Sequence, residues 1–416
     1  MEIVKALRAR NLLKDFTEVG LEFTKKAVYC GFDPTGASLH LGHLPALNAL
    51  ILSAEAGYKT IALVGSATAS VGDPSGRDSA RPILTHNFIE SNAQQLQTQL
   101  HLVLDKLAER ATLHKCVKSK PQVTILDNKH IFNNLDLITF LREVGYHFAM
   151  NPLINRDFVK NRSDSLTFTE FTYSLMQAYD FYWLFSNKDC GVQIGGSDQW
   201  TNITAGTQLI RKKTGYQALG ITLPLLMTQD GMKFGKTAGN ALFLNSYLTS
   251  EYSIYQYCFN LPDDTIEDLL YKLTFLPSSE IEAAMQHPLE QRIPQKLLAK
   301  EIISGIHGEE KAKQAQRVSE ILFSKKYLKL EEEDLEMAFK EAPKYSCGGG
   351  EVVRSLKESG VVETNSAARR LIKQKALKLN GKTAAEGMKL SEFGLIANKY
   401  LIVQAGKKNI SVLTVT

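Results

Sequence analysis

The stretch Val28-Tyr-Cys-Gly-Phe-Asp-Pro-Thr-Gly36 decides how this chain is built. Val28–Phe32 reads as a buried strand, and Asp33-Pro34-Thr35-Gly36 as the turn that ends it. Leu41, Leu44, Ile51 and Ala54 then recur at helical spacing, which predicts a helix from about Leu39 to Ala56, stopped by Gly57. Thr60–Val64 is apolar again and predicts the next strand. Strand, helix and strand in such a short span form a βαβ unit and imply a parallel sheet. Ligands of such sheets sit at the carboxyl ends of the strands.

Outward from this unit, residues from about Thr85 to Asn161 read as mostly helical (Asn87–Leu107, then Leu135–Val144), an insertion between two halves of the sheet. Ser174–Phe185 reads as a helix, Val192–Ile194 as a short strand, Asp198–Lys213 as a helix and Leu223–Met227 as a last strand. Helical signals dominate from Ser253 to about Phe323, followed by the acidic stretch Glu331–Glu341. Pro343-Lys-Tyr-Ser-Cys-Gly-Gly-Gly350 has proline at one end and three glycines at the other, the marks of a linker.

Of the 416 residues, 44% are hydrophobic and 22% charged, a globular balance. No run approaches the roughly 18 apolar residues that span a bilayer, and Met1–Lys14 shows no signal-peptide core. The five cysteines, at 30, 116, 190, 258 and 347, form no Cys-x-x-Cys pair. That speaks against a zinc site or disulfide framework and for a reducing compartment. The net charge of +5 is unevenly spread: Glu351–Thr416 holds 12 Lys and Arg against 5 Asp and Glu, a net of +7, leaving −2 for the other 350 residues. Basic charge gathered at one end points to a polyanion partner, with a solvated surface as the plain alternative.

Four motifs carry chemistry. His40-Leu-Gly-His43 opens a helix, where free N–H groups and the dipole favour phosphates; Gly42 lets a nucleotide approach the backbone, and the two histidines share a face. Lys233-Phe-Gly-Lys-Thr237 puts two lysines and a hydroxyl on a loop able to close over a triphosphate. Each is weak alone; together they are specific. Gln193-Ile-Gly-Gly-Ser-Asp-Gln-Trp200 places glycines before an acid and an amide at a helix entry, a ribose contact or simply a helix cap. Tyr173, Gln177 and Asp180 form one polar face of a helix whose neighbours are too apolar for solvent, so that face must be hydrogen-bonded or bind a ligand.

Tyr29-Cys-Gly-Phe-Asp-Pro-Thr35, His40–His43, Gly72-Asp-Pro-Ser75, Tyr173–Asp180, Gln193–Trp200 and Lys233–Thr237 together resemble the tyrosyl-tRNA synthetases of bacteria and organelles, in order and spacing. The resemblance implies an α/β, Rossmann-like catalytic domain at 1–230 with a helical insertion at about 79–161 that makes a homodimer contact. It further implies a lysine-bearing catalytic loop at 231–245, an all-α anticodon-binding domain at 246–330, a linker at 331–350 and a small α+β RNA-binding module at 351–416. Tyr29 and Asp180 would bind the phenol of tyrosine; Asp73, Tyr173 and Gln177 its ammonium; Gln199 would lie near its carboxylate. Cys30, Gly31, Asp33, Gly42, Gly196 and Asp198 would contact ATP and its ribose. Thr35, His40 and His43 would bind the phosphates with Lys233, Lys236 and Thr237, and magnesium would accompany ATP. Arg211 and Lys212 would face the acceptor stem, and Arg369, Arg370, Lys373, Lys375, Lys378 and Lys382 would contact RNA phosphates, with Lys407 and Lys408 adding to them. No residue is assigned to a protein-bound metal. Magnesium and ATP apart, the implied partners are tyrosine and tRNA(Tyr), with no membrane. The expected compartment is the mitochondrial matrix in a eukaryote and the cytoplasm in a bacterium.

The chain departs from the family's usual glycines at Ser66, Ala69 and Thr201. Three other readings compete. Simpler nucleotidyltransferases share His-x-Gly-His but lack the lysine loop and the terminal module. Tyr29 with Asp180 opposes a tryptophan enzyme. An RNA-binding or intron-splicing protein built on a synthetase body is the non-enzymatic alternative.

Overall fold

The computed structural model describes the chain apart from residues 19–22, 76–81, 155–165, 229–233, 238–239 and 407–408, and apart from the side chains of 152, 154, 236, 237 and 240. The chain forms two compact units, Met1–Leu248 with Leu261–His307, and Thr249–Asn260 with Gly308–Thr416.

The first unit is built on a six-stranded sheet of β1 (Asp15–Phe16), β2 (Ala27–Phe32), β3 (Lys59–Val64), β4 (Val123–Asp127), β5 (Cys190–Gly196) and β6 (Leu219–Leu223). Their spatial order is β1-β6-β5-β2-β3-β4. All neighbours are parallel except β1, which pairs antiparallel with β6 at the edge. The register sets Tyr29 between Ile61 and Gln193. The central strands β2, β3, β5 and β6 are largely buried on both faces, which is why they read as apolar runs, whereas the edge strands β1 and β4 are exposed or partly exposed.

The expected βαβ unit is present, with a 3-10 turn Leu41–His43 leading into the helix Leu44–Glu55. Pro45 lies in the first turn of that helix, where its missing N–H costs nothing. The helix Phe168–Asn187 starts at a capping box: Thr167 Oγ1 accepts from the Glu170 amide at 3.2 Å, and Glu170 Oε2 from the Thr167 amide at 3.3 Å.

Three expectations change. The segment read as a helical insertion also contributes a sheet strand, β4; its short apolar run is masked by the long helix His86–Leu113 before it. The last strand lies at Leu219–Leu223 rather than Leu223–Met227. Pro224 has no N–H to extend the ladder, so the chain leaves the sheet there. The stretch 331–350 holds the helix Glu332–Ala338 and the strand Lys344–Cys347, which pairs parallel with Asn409–Val415.

The helical stretch expected at 246–330 is shared between the units. In the first, Arg10 donates to the carbonyls of Leu276 (2.6 Å) and Thr274, tying the N-terminal segment to the helix Asp263–Leu273. In the second, the helices Glu251–Phe259 and Glu309–Phe323 pack with a five-stranded sheet. Val318 and Ile321 share a core with Ile396 and Ile402, and Tyr327 lies against Gly381. No described helix is long and apolar enough to cross a membrane.

Candidate active site

A cavity of about 690 Å³ opens at the carboxyl ends of β2, β3, β5 and β6. Its lining brings together Tyr29, Cys30, Gly31, Asp33, Thr35, His40, Gly42, His43, Asp73, Tyr173, Gln177, Asp180, Gly196, Asp198 and Gln199. These come from four separate parts of the sequence. Lys233 lies outside the described residues; Lys236–Thr237 form a short strand paired with Asn240–Ala241, and their side chains are not described.

At one end, Tyr29 and Asp180 are buried to 1% and 3% exposure. Tyr29 hydroxyl and Asp180 Oδ1 have no hydrogen-bond partner among the described residues. Each such buried group left unpaired costs about 1–3 kcal/mol, more when charged. Burial pushes both pKa values well above their ordinary range, for Asp180 against the bond from Asn128, which pulls the other way. Asp180 Oδ2 is taken: Asn128 Nδ2 donates to it at 3.0 Å.

Further along the helix, the Tyr173 hydroxyl donates to Asp33 Oδ2 at 2.7 Å. Asp33, expected at the ribose, is thereby engaged with the pocket's own side chains. Asp73 is 7% exposed and accepts from Gln199 Nε2 (2.7 Å), the Ser75 amide (2.9 Å) and Asn202 Nδ2 (3.3 Å).

At the other end, the His40 amide donates to His43 Nδ1 at 3.0 Å, and the Gly42 amide to His40 Nδ1 at 3.1 Å. Both rings therefore carry their proton on Nε2 when neutral. Desolvation, and then the neighbouring His40, push the His43 pKa down to about 3. It is a neutral donor at physiological pH. A side chain at Gly42 would meet the His40 ring at 2.9 Å and force that ring to shift from its bond with the Gly42 amide. Gly235, at φ 75°, is likewise seated against Leu41. Its neighbour Phe234 is buried and lines the cavity, so the loop carrying the second motif returns to the histidine-bearing helix tip.

Sequence reading missed Thr68, Asn128 and Asn202. Asn128 immediately follows β4, the strand that was also missed, and Asn202 lies one turn beyond Gln199.

Residues 24–324 match the family model "tRNA synthetases class I (W and Y)", and residues 334–413 match "Tyrosine--tRNA ligase SYY-like C-terminal domain". The chain is 38% identical over 421 residues to the tyrosine–tRNA ligase of Geobacillus stearothermophilus, covering 98% of each. This chain belongs to the tyrosyl-tRNA synthetases. It is thus an aminoacyl-tRNA synthetase of class I, a family that uses ATP. The ligase of Neisseria meningitidis is 36% identical over 99% of each chain. Among solved structures, the C-terminally truncated mitochondrial tyrosyl-tRNA synthetase of Aspergillus nidulans matches with a TM-score of 0.70 and 31% identity, over 77% of this chain and 94% of that one.

In the second unit of this synthetase, Arg369, Arg370, Lys373, Lys375 and Lys382 are exposed and Lys378 is half-buried. Arg369 pairs with Glu386 at 2.9 Å. In the first unit Arg211 is exposed, whereas the Lys212 ammonium donates to the His147 carbonyl at 2.5 Å.

Proposed function

We propose that the chain activates tyrosine with ATP to tyrosyl-adenylate and pyrophosphate, then transfers tyrosine to the 3′ end of tRNA(Tyr). The supporting observation is the pair of unpaired atoms in the cavity, Tyr29 hydroxyl and Asp180 Oδ1. A phenol accepts from the first and donates to the second; phenylalanine leaves both buried and unpaired. Such sites reject the analogue by on the order of 10⁴–10⁵, a rule for which this enzyme family is itself the standard illustration.

In this reading Asp73, Tyr173 and Gln177 hold the α-ammonium, and Gln199 lies beside the carboxylate. Cys30, Gly31, Asp33, Gly42, Gly196 and Asp198 form the nucleoside side of the cavity. The tyrosine carboxylate attacks the α-phosphorus in line and pyrophosphate departs. Thr35, His40 and His43, with Lys233, Lys236 and Thr237, stabilise the charge that grows on it. Magnesium arrives on the triphosphate as part of the substrate. The exposed Arg370, Lys373, Lys375 and Lys382, with Arg369 and Lys378, contact tRNA phosphates, and Arg211 with Lys212 the acceptor stem.

The reading includes a homodimer. The helix Leu137–Glu143 buries none of its residues and exposes Leu137, Ile138 and Leu141; Tyr146, 85% exposed, follows. Apolar side chains gathered in this way mark an interface.

The test is exchange of labelled pyrophosphate into ATP without RNA. Exchange that depends on tyrosine and on no other amino acid is expected; no exchange with any amino acid would refute the enzyme reading.

A further inference from the structure

Between the two ends of the tyrosine pocket runs a chain of buried and part-buried hydrogen bonds that meets at one hydroxyl, that of Thr68. Thr68 is 2% exposed. Its Oγ1 donates to Asp33 Oδ1 at 2.8 Å, a shorter contact than the 3.1 Å to the Gly65 carbonyl. Asn128, 0% exposed, donates back to the same oxygen from Nδ2 at 3.1 Å. On the far side, Asp33 Oδ2 accepts from Tyr173, and Asn128 donates to Asp180 Oδ2.

The direction of donation is fixed throughout. The NH2 of Asn128 only donates, so the Thr68 oxygen accepts from it and the Thr68 proton is turned to Asp33 Oδ1. The Ala67 amide, which only donates, holds Asn128 Oδ1 at 2.8 Å and settles which way the amide of Asn128 points. Both protons of Asn128 Nδ2 are then assigned, one to Thr68 and one to Asp180. Asp180 is left with one free oxygen, Oδ1. The chain has no slack on the Asp33 side, because a side chain at Gly65 would stand 1.9 Å from Asp33 Oδ1.

We propose that Thr68 is a positioning residue for amino-acid selection, coupling the group that holds the ammonium (Tyr173) to the group that reads the phenol (Asp180). This rests on the tyrosine-pocket reading above. Groups in one hydrogen-bond network act non-additively, whereas separated groups add. Removing the hydroxyl leaves a buried N–H of Asn128 unpaired, takes one donor from Asp33, and lets the two ends respond independently.

The test is a double-mutant cycle on tyrosine-dependent pyrophosphate exchange, pairing Tyr173→Phe with Asp180→Asn, the two ends of the network, in the wild-type and Thr68→Val backgrounds. With Thr68 present, the two changes should depart from additivity by about threefold or more in kcat/KM for tyrosine; in the Thr68→Val background they should add. Thr68→Val alone should lower kcat/KM for tyrosine about tenfold or more and leave KM for ATP within about twofold. Thr68→Ser, which keeps the hydroxyl, should restore tyrosine use to within about threefold. If the valine protein does not fold, Thr68→Ala serves in the same cycle. Non-additivity that persists without the hydroxyl, or equal losses for tyrosine and ATP, overturns the coupling while leaving the pocket reading intact. Absence of tyrosine-dependent exchange in the wild type fails the pocket reading itself and takes the coupling with it.

Discussion

In the proposed function, the cavity of the first unit and the basic face of the second recognise their ligands by opposite means. In the cavity the polar groups are buried and mostly spent on one another: Asp73 accepts three donors, Asp33 holds Tyr173 and Thr68, and Asp180 holds Asn128. What remains unpaired defines the ligand. On the terminal module Arg370, Lys373, Lys375 and Lys382 are exposed, and their charge serves any phosphate within reach. On this proposal, specificity in the cavity comes from the cost of leaving a buried group unpaired, and affinity on the module from counterion release spread over many side chains.

If that contrast holds, one change in the cavity outweighs several on the module. Asp73→Ala should lower kcat/KM for tyrosine in pyrophosphate exchange by about 10²–10³-fold, because Gln199 and Asn202 lose a shared buried acceptor. A loss below tenfold would break the comparison from the cavity side. Replacing Arg370, Lys373, Lys375 and Lys382 together by alanine should weaken tRNA binding in filter assays and flatten the log–log salt dependence by about 0.7–0.9 per phosphate contact removed. Pyrophosphate exchange should stay within about twofold. Lys373→Ala alone should weaken binding only a few-fold and evenly across RNA sequences.

The smallest expected effect is on stability. His43 has its pKa held at about 3 in the fold, below the ordinary 6.5 of the unfolded chain. Its contribution is therefore complete above pH 6.5 and is lost as pH falls through that value towards 3, as the unfolded chain takes up a proton that the folded one refuses. Wild-type melting temperature should drop between pH 7.5 and 5 by more than that of His43→Asn; equal drops would remove the assigned proton state.

The βαβ unit was legible because strand and helix periods are local, and the motifs because their residue types are rare in combination. β4 was not legible: Val123–Asp127 is a short run beside a long helix, and what makes it a strand is its parallel pairing with β3. Losing β4 hid Asn128, although Asp180, its partner 52 residues on, was read correctly as part of a polar helix face. Leu223–Met227 was misplaced because apolar residues lining a cavity look like strand residues, and only the buried register of Leu219–Leu223 against β5 separates them. The stretch 331–350 looked like a linker because Lys344–Cys347 gains its strand character from Asn409–Val415, more than sixty residues later. Interactions close in sequence were visible, and pairings made across the sheet were not.

The central claim is that Tyr29 hydroxyl and Asp180 Oδ1 together read the substrate's phenol. The most direct measurement is the ratio of kcat/KM for tyrosine to that for phenylalanine, in pyrophosphate exchange, for the wild type and Asp180→Asn. The ratio should be on the order of 10⁴ or more in the wild type and fall by about 100-fold or more in the variant. A ratio unchanged by the substitution would contradict the assignment.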